Sequence, residues 1–81
     1  MDEYETLLKR ITIDPDMLVG KPCIRGMRIS VEHILEALAS GISQQKLLEE
    51  YPVLEPEDVR AALLYAKEVV ATERVYLVGQ Q

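Results

Sequence analysis

Three cations, Lys21, Arg25 and Arg28, fall in one short stretch, Gly20 to Ser30, which reads Gly-Lys-Pro-Cys-Ile-Arg-Gly-Met-Arg-Ile-Ser. No acidic residue lies between Asp16 and Glu32, so this segment carries +3 on a chain of net charge −5, leaving −8 for the rest. Gly20 and Gly26 admit positive φ without steric cost, while Pro22 fixes its own φ and holds Lys21 extended. Positive charge on a shaped loop suits phosphate or carboxylate partners. The competing use of the same residues is a solvated hairpin rim, the ordinary fate of exposed charge.

The other reactive side chains are single. Cys23 lies between Lys21 and Arg25, where nearby positive charge favours a thiolate, but a lone free cysteine equally serves as a small, semi-buried hydrophobe. His33 stands three residues after Ser30 and either bonds locally or faces solvent. Together they do not complete a four-ligand zinc site. The acid pairs Glu49-Glu50 and Glu57-Asp58 are sequence neighbours, so on helices they diverge and suit solvation or helix-end electrostatics. The glycine spacing matches neither the dinucleotide nor the Walker fingerprint. The expectation is no catalytic site, no cofactor and no metal.

The elements that must position the loop come next. At 81 residues the chain is one domain over 1–81, near the size at which a single core is marginal, so dimerisation would help. It is 48% hydrophobic with no Phe or Trp, a composition that builds a core of Leu, Ile, Val and Ala. A single cysteine excludes an intrachain disulfide, and the acidic start Met1-Asp2-Glu3-Tyr4-Glu5 is unlike a signal peptide. With no membrane-length apolar run, the expectation is a cytoplasmic protein. The pI of 4.8 weighs against indiscriminate nucleic-acid binding while allowing a local contact.

Tyr4, Leu7 and Leu8 permit a short helical turn within residues 2–9. Alternation at Ile11 and Ile13 predicts a strand ended by Asp14-Pro15-Asp16. Met17, Leu18 and Val19 form an apolar turn stopped by Gly20. A return strand at Met27-Arg28-Ile29 would put Ile11, Ile13, Met27 and Ile29 on one inner face. From there an apolar residue, a cap and a second apolar residue recur as hydrophobic staples. Ile29 and Ile34 bracket Ser30 at the first helix, with Val31, Ile34, Leu35, Leu38 and Ile42 as its stripe and Gly41 as its stop. Ile42 and Leu47 bracket Ser43 at the second, whose Leu47, Leu48 and Tyr51 face inward before Pro52. Leu54 and Val59 bracket Glu55 at the third, with Pro56 at its first position, and this helix is expected to end near Arg74. The anticipated class is mainly α: a two-stranded hairpin over 10–30, a three-helix core over 30–74, and a tail over 75–81. The second and third helices have the lengths of a helix-turn-helix, although ordinary bundles share that geometry.

If nucleic acid is bound, the third helix is the natural reader, but Glu55, Glu57 and Asp58 would meet phosphate with negative charge. Lys21, Arg25 and Arg28, with Lys9 and Arg10 adjacent, are therefore the expected contacts, ahead of Arg60, Lys67, Gln44 or Gln45. A protein partner would instead meet the strand-like tail of Arg74, Val75, Tyr76, Leu77 and Val78 by sheet extension, unless that segment packs on its own helices.

The segments Ile13-Asp14-Pro15, Gly20 through Ile29, Gly41-Ile42-Ser43, Tyr51-Pro52-Val53-Leu54 and Glu57-Asp58-Val59 resemble a family of small prokaryotic proteins known as domain of unknown function four-three-three. The likeness covers roughly residues 10–70, departing where Met27 stands for a common Thr and Val19 for a frequent Gly. It implies a homeodomain-like helix-turn-helix domain and a role as the antitoxin that neutralises a PIN-like ribonuclease toxin; from the chain's size and basic loop the further expectations are a homodimer and operator DNA as a partner. The alternative is a non-catalytic oligomerisation or protein-interaction module without DNA binding.

Overall fold

Helix starts in this chain are set by side-chain caps. In the computed structural model, which describes residues 2–79 and side chains through Thr72, the Asp2 carboxylate accepts from the Tyr4 N–H and opens α1, Glu3–Leu8. Ser30 accepts from the His33 N–H to open α2, Val31–Ala39, and Ser43 does the same for the Lys46 N–H at α3, Gln44–Glu50. Each bond satisfies a donor that the first helical turn cannot pair internally. The last helix, α4, runs Pro56–Gly79. Ser30, Ser43 and Pro56 stand where the sequence places them, while the Asp2 cap is not predicted from it.

Between α1 and α2 lies a two-stranded antiparallel sheet, β1 Ile11–Ile13 and β2 Pro22–Ile24, paired as Ile11 with Ile24, Thr12 with Cys23 and Ile13 with Pro22. The strand that alternation predicts at Met27–Ile29 is therefore displaced to Pro22–Ile24. The reason is the reversal at Arg25 and Gly26, where φ is +44° and +72° and the Met27 N–H meets the Ile24 carbonyl at 2.8 Å. Positive φ at both central positions is the signature of a tight hairpin turn. Only a single bridge, Cys23 to Ser30, forms beyond it, because Ser30 already caps α2. Ile13 consequently lies 60% exposed, while Ile11, Met27 and Ile29 pack against the core.

The core consists of Ile24, Val31, Ile34, Leu47, Leu54, Val59 and Ala62, contributed by β2, α2, α3, the connection between α3 and α4, and α4. Buried Ala61 and Ala62 on α4 leave room for neighbouring elements to approach closely. α1 packs on α4, with Leu7 buried and an Arg60–Glu3 ion pair at 3.3 Å.

Two boundaries differ from the expected division. Among the described residues the helical part is four α-helices, with α1 ahead of the hairpin, and α4 continues through Arg74 and Val75–Val78 as helix rather than giving way to a strand. Sheet extension by that tail is thereby corrected, since a helix that carries on satisfies its backbone groups internally and offers no strand edge. The side chains of Arg74, Val75, Tyr76, Leu77 and Val78 lie outside the described residues. None of the described helices is long and apolar enough to cross a membrane.

Candidate functional site

Gly20–Ser30 is held by a carboxylate that sequence reasoning assigns to solvation or helix-end electrostatics. Asp58, in the first turn of α4, is 0% exposed. Arg25 grips it with Nε to Oδ1 at 3.0 Å and Nη2 to Oδ2 at 2.8 Å, and Arg10 donates from Nη1 to Oδ1 at 2.9 Å. The Glu55 N–H donates to Oδ2 at 2.8 Å, so the same side chain caps α4. Arg25 Nη2 also reaches the Val53 carbonyl at 2.8 Å, and Arg10 Nη1 reaches Glu55 Oε1 at 2.7 Å. Burial pushes the Asp58 carboxyl up, but donation from Arg25, the Glu55 N–H and Arg10 outweighs it and holds the group below its ordinary value. Both guanidiniums are raised in return, Arg10 by bonding to Glu55 and then Asp58, Arg25 by bonding to Asp58.

The backbone is arranged to make this grip. Arg25 takes a left-handed φ of +44°, uncommon for a residue with a Cβ, while its N–H donates to the Arg10 carbonyl at 2.7 Å. The next N–H, of Gly26, is taken by Thr12 Oγ1 at 2.8 Å. Hairpin and helix start are thus fastened together at one buried charge.

Of the five cations singled out from sequence, Arg10 and Arg25 belong to this knot. Lys21 pairs with Glu32 at 2.8 Å on the surface, side chains 53% and 67% exposed; this raises the lysine and lowers the carboxyl. Such an exposed pair contributes little to stability and is screened by salt. Lys9 is exposed on the turn after α1. Arg28 is exposed and makes no ion pair among the described residues. The loop therefore does not present its cations as one outward patch. The signal for Asp58 was present in the spacing, since Asp58 stands three residues after the cap position Glu55, as in a capping box.

Cys23 is buried at 2% exposure, its Sγ 3.3 Å from the Lys21 carbonyl, and fills space beside Ile24. His33 Nε2 lies 2.9 Å from Tyr51 Oη, with the rings edge to face at 5.5 Å. That pair walls a cleft of about 240 Å³ between α2 and α3, whose mouth carries Glu36 and Glu50. A second groove, about 280 Å³ between α2 and α4, is lined by Val31, Leu35, Tyr65, Ala66, Val69 and Val70 with Glu32 at its edge. Among the described residues, no three His, Cys, Asp or Glu side chains are placed to share a metal ion.

The fold is found elsewhere. A crystal structure of a DUF433 member protein from Anabaena variabilis ATCC 29413 matches this fold with a TM-score of 0.74 at 28% identity, covering 91% of this chain and 73% of that one. The uncharacterized protein y4eO of Sinorhizobium fredii (strain NBRC 101917 / NGR234) is 34% identical over 67 residues, which is 83% of this chain but 30% of that protein. The present chain thus spans under a third of that relative's length. A family model described as "Protein of unknown function (DUF433)" matches residues 11–66, from β1 to the middle of α4, and the chain belongs to that family.

Proposed function

We propose that the protein is a non-catalytic, antitoxin-like binding domain that neutralises a PIN-like ribonuclease by covering its RNA-binding surface. The observation that carries this reading is the knot at Asp58. It engages two of the cations that would otherwise face outward, on a body of net charge −5. An enzyme that binds RNA must present positive charge to the phosphate backbone, and an acidic protein complements that surface as the substrate does. Inhibition then requires occupation, with no bond made or broken. The test is co-expression with the adjacent open reading frame. A stable complex, toxicity of the neighbour alone, and association that slows as salt rises are the expected results. A harmless neighbour, or one that fails to bind, removes the proposal.

A second reading, operator binding by a homeodomain-like helix-turn-helix formed from α2, α3 and α4, is favoured by a different observation. Arg28 and Lys46 are both exposed and outside every ion pair among the described residues. Against it stand Glu55 and Glu57 where α4 would enter a groove. With so few free cations, titration of operator DNA at rising salt should give a shallow slope, about −1 to −2 in log K against log salt per protomer. Absence of any complex at low salt would remove operator binding and leave the ribonuclease reading intact.

A further inference from the structure

The cleft between α2 and α3 has the attributes of a receptor for one positively charged side chain. Most of its lining comes from the later turns of two helices, Glu36, Ala37 and Ser40 from α2 and Leu47, Glu50 and Tyr51 from α3, with His33 of the first turn of α2 and Ile42 of the connection completing it. The carbonyl end of a helix is its negative pole and is ordinarily offset by Lys or Arg in the last turn. Neither α2 nor α3 carries a basic residue there. Instead each adds a carboxylate, Glu36 and Glu50, and neither acid has an ion pair among the described residues. Two helix C-termini and two carboxylates thus converge on one opening; backbone N–H groups already take the last carbonyls of α2, and among the described residues no cation pairs with either acid.

The floor is of the opposite character. Ala37, Ile42 and Leu47 give it carbon to contact, and Tyr51 stands at the wall, its hydroxyl engaged by His33. A ligand for this site therefore needs an apolar stem with a delocalised or compact cation at its end. At about 240 Å³ the cleft is far smaller than a drug-sized pocket, which runs ~300–1,000 Å³, and is of the order of one long side chain. We propose that the α2–α3 cleft takes an arginine side chain of the partner polypeptide, its methylenes on Ala37, Ile42 and Leu47 and its guanidinium between Glu36 and Glu50. Arginine fits better than lysine because its planar group pairs with two carboxylates and packs against an aromatic ring. The inference rests on the ribonuclease reading for the partner's identity, but the cleft's chemistry can be tested without that partner.

The experiment is an NMR titration of the full chain with the tripeptide Gly-Arg-Gly, blocked at both ends, and with the same peptide carrying citrulline, which has nearly the same shape and no charge. The expected result is saturable shifts confined to residues around His33, Ala37, Ile42 and Tyr51, at least ~tenfold weaker with citrulline, consistent with a charge-assisted contact. Glu36→Gln with Glu50→Gln should abolish the response. Both positions are exposed, so the variant's melting curve should match the parent. Shifts scattered over the acidic surface, an equal response to citrulline, or an unchanged response in the double variant would each overturn the proposal. Peptide binding by a chain that ignores its neighbouring gene product would instead sink the ribonuclease reading and leave the cleft standing.

Discussion

Replacing Asp58 with alanine is expected to cost about 3 kcal/mol of folding stability, the low end of the range for removing one partner of a buried ion pair. The low end applies because Arg10 and Arg25 keep side-chain exposures of 26% and 36% and regain water when released. The loss has two sources, the charge-assisted bonds from both arginines and the cap on the Glu55 N–H. Asp58→Asn retains an acceptor for that N–H and should therefore lose less. Denaturant unfolding of the variants at neutral pH measures the difference. A variant within ~0.5 kcal/mol of the parent would show that the knot is incidental.

The same residue sets a pH dependence. Its carboxyl is depressed in the folded state, because hydrogen bonds from Arg25, the Glu55 N–H and Arg10 outweigh the upward push of burial. In the unfolded chain it titrates near the ordinary aspartate value of ~3.9. A depressed folded-state group binds its proton less readily than the unfolded one, so stability rises with pH across that interval. Its contribution is complete above about 3.9 and is lost as pH falls through the lower folded-state value. The gap between parent and Asp58→Ala should accordingly narrow on acidification.

Truncating Ile34 to alanine should destabilise the domain by about 3 kcal/mol, within the range for deleting a buried aliphatic side chain and leaving its cavity. Ile34 is 0% exposed on α2 and belongs to the cluster with Ile24, Leu47, Leu54 and Val59. In a domain of this size a loss of 1 kcal/mol lowers Tm by roughly 4–8 °C, so the melting transition should fall by well over ten degrees. The neighbouring Leu38, only half-buried, should respond less to the same truncation. An equal response at both positions would mean that the core does not lie where α2 meets β2 and α4.

The local features were legible in the sequence. Ser30, Ser43 and Pro56 declared three helix starts because capping depends on residues within one turn of one another. The positive φ of Gly20 and Gly26 followed from residue type. What stayed hidden depended on distance along the chain. Asp58 meets residues 33 and 48 positions away, and no local pattern tells a capping acid in solvent from one buried under two arginines. The displaced second strand has a related cause. Met27 and Ile29 alternate as a strand should, but the left-handed Arg25 makes the reversal earlier than the glycine pattern alone requires. The far part of α4 reads as strand because Val75, Tyr76 and Val78 are β-branched or aromatic, and such weak propensity yields when a long helix propagates into it. The cleft between α2 and α3 was invisible for the same reason as Asp58: its two acids, Glu36 and Glu50, come from different helices.

The order of events on the ribosome follows from where α4 stands. It contributes Val59 and Ala62 to the cluster that covers α2 and α3, supplies the carboxylate that Arg10 and Arg25 grip, and receives Leu7 of α1. Until Asp58 through Ala62 have left the exit tunnel, the hairpin pairing and the contact of α2 with β2 stand without the helix that closes the core over them. Local pairs therefore come first and closure of the core comes last, so a message truncated before α4 yields a fragment whose apolar face is uncovered and fit for proteolysis.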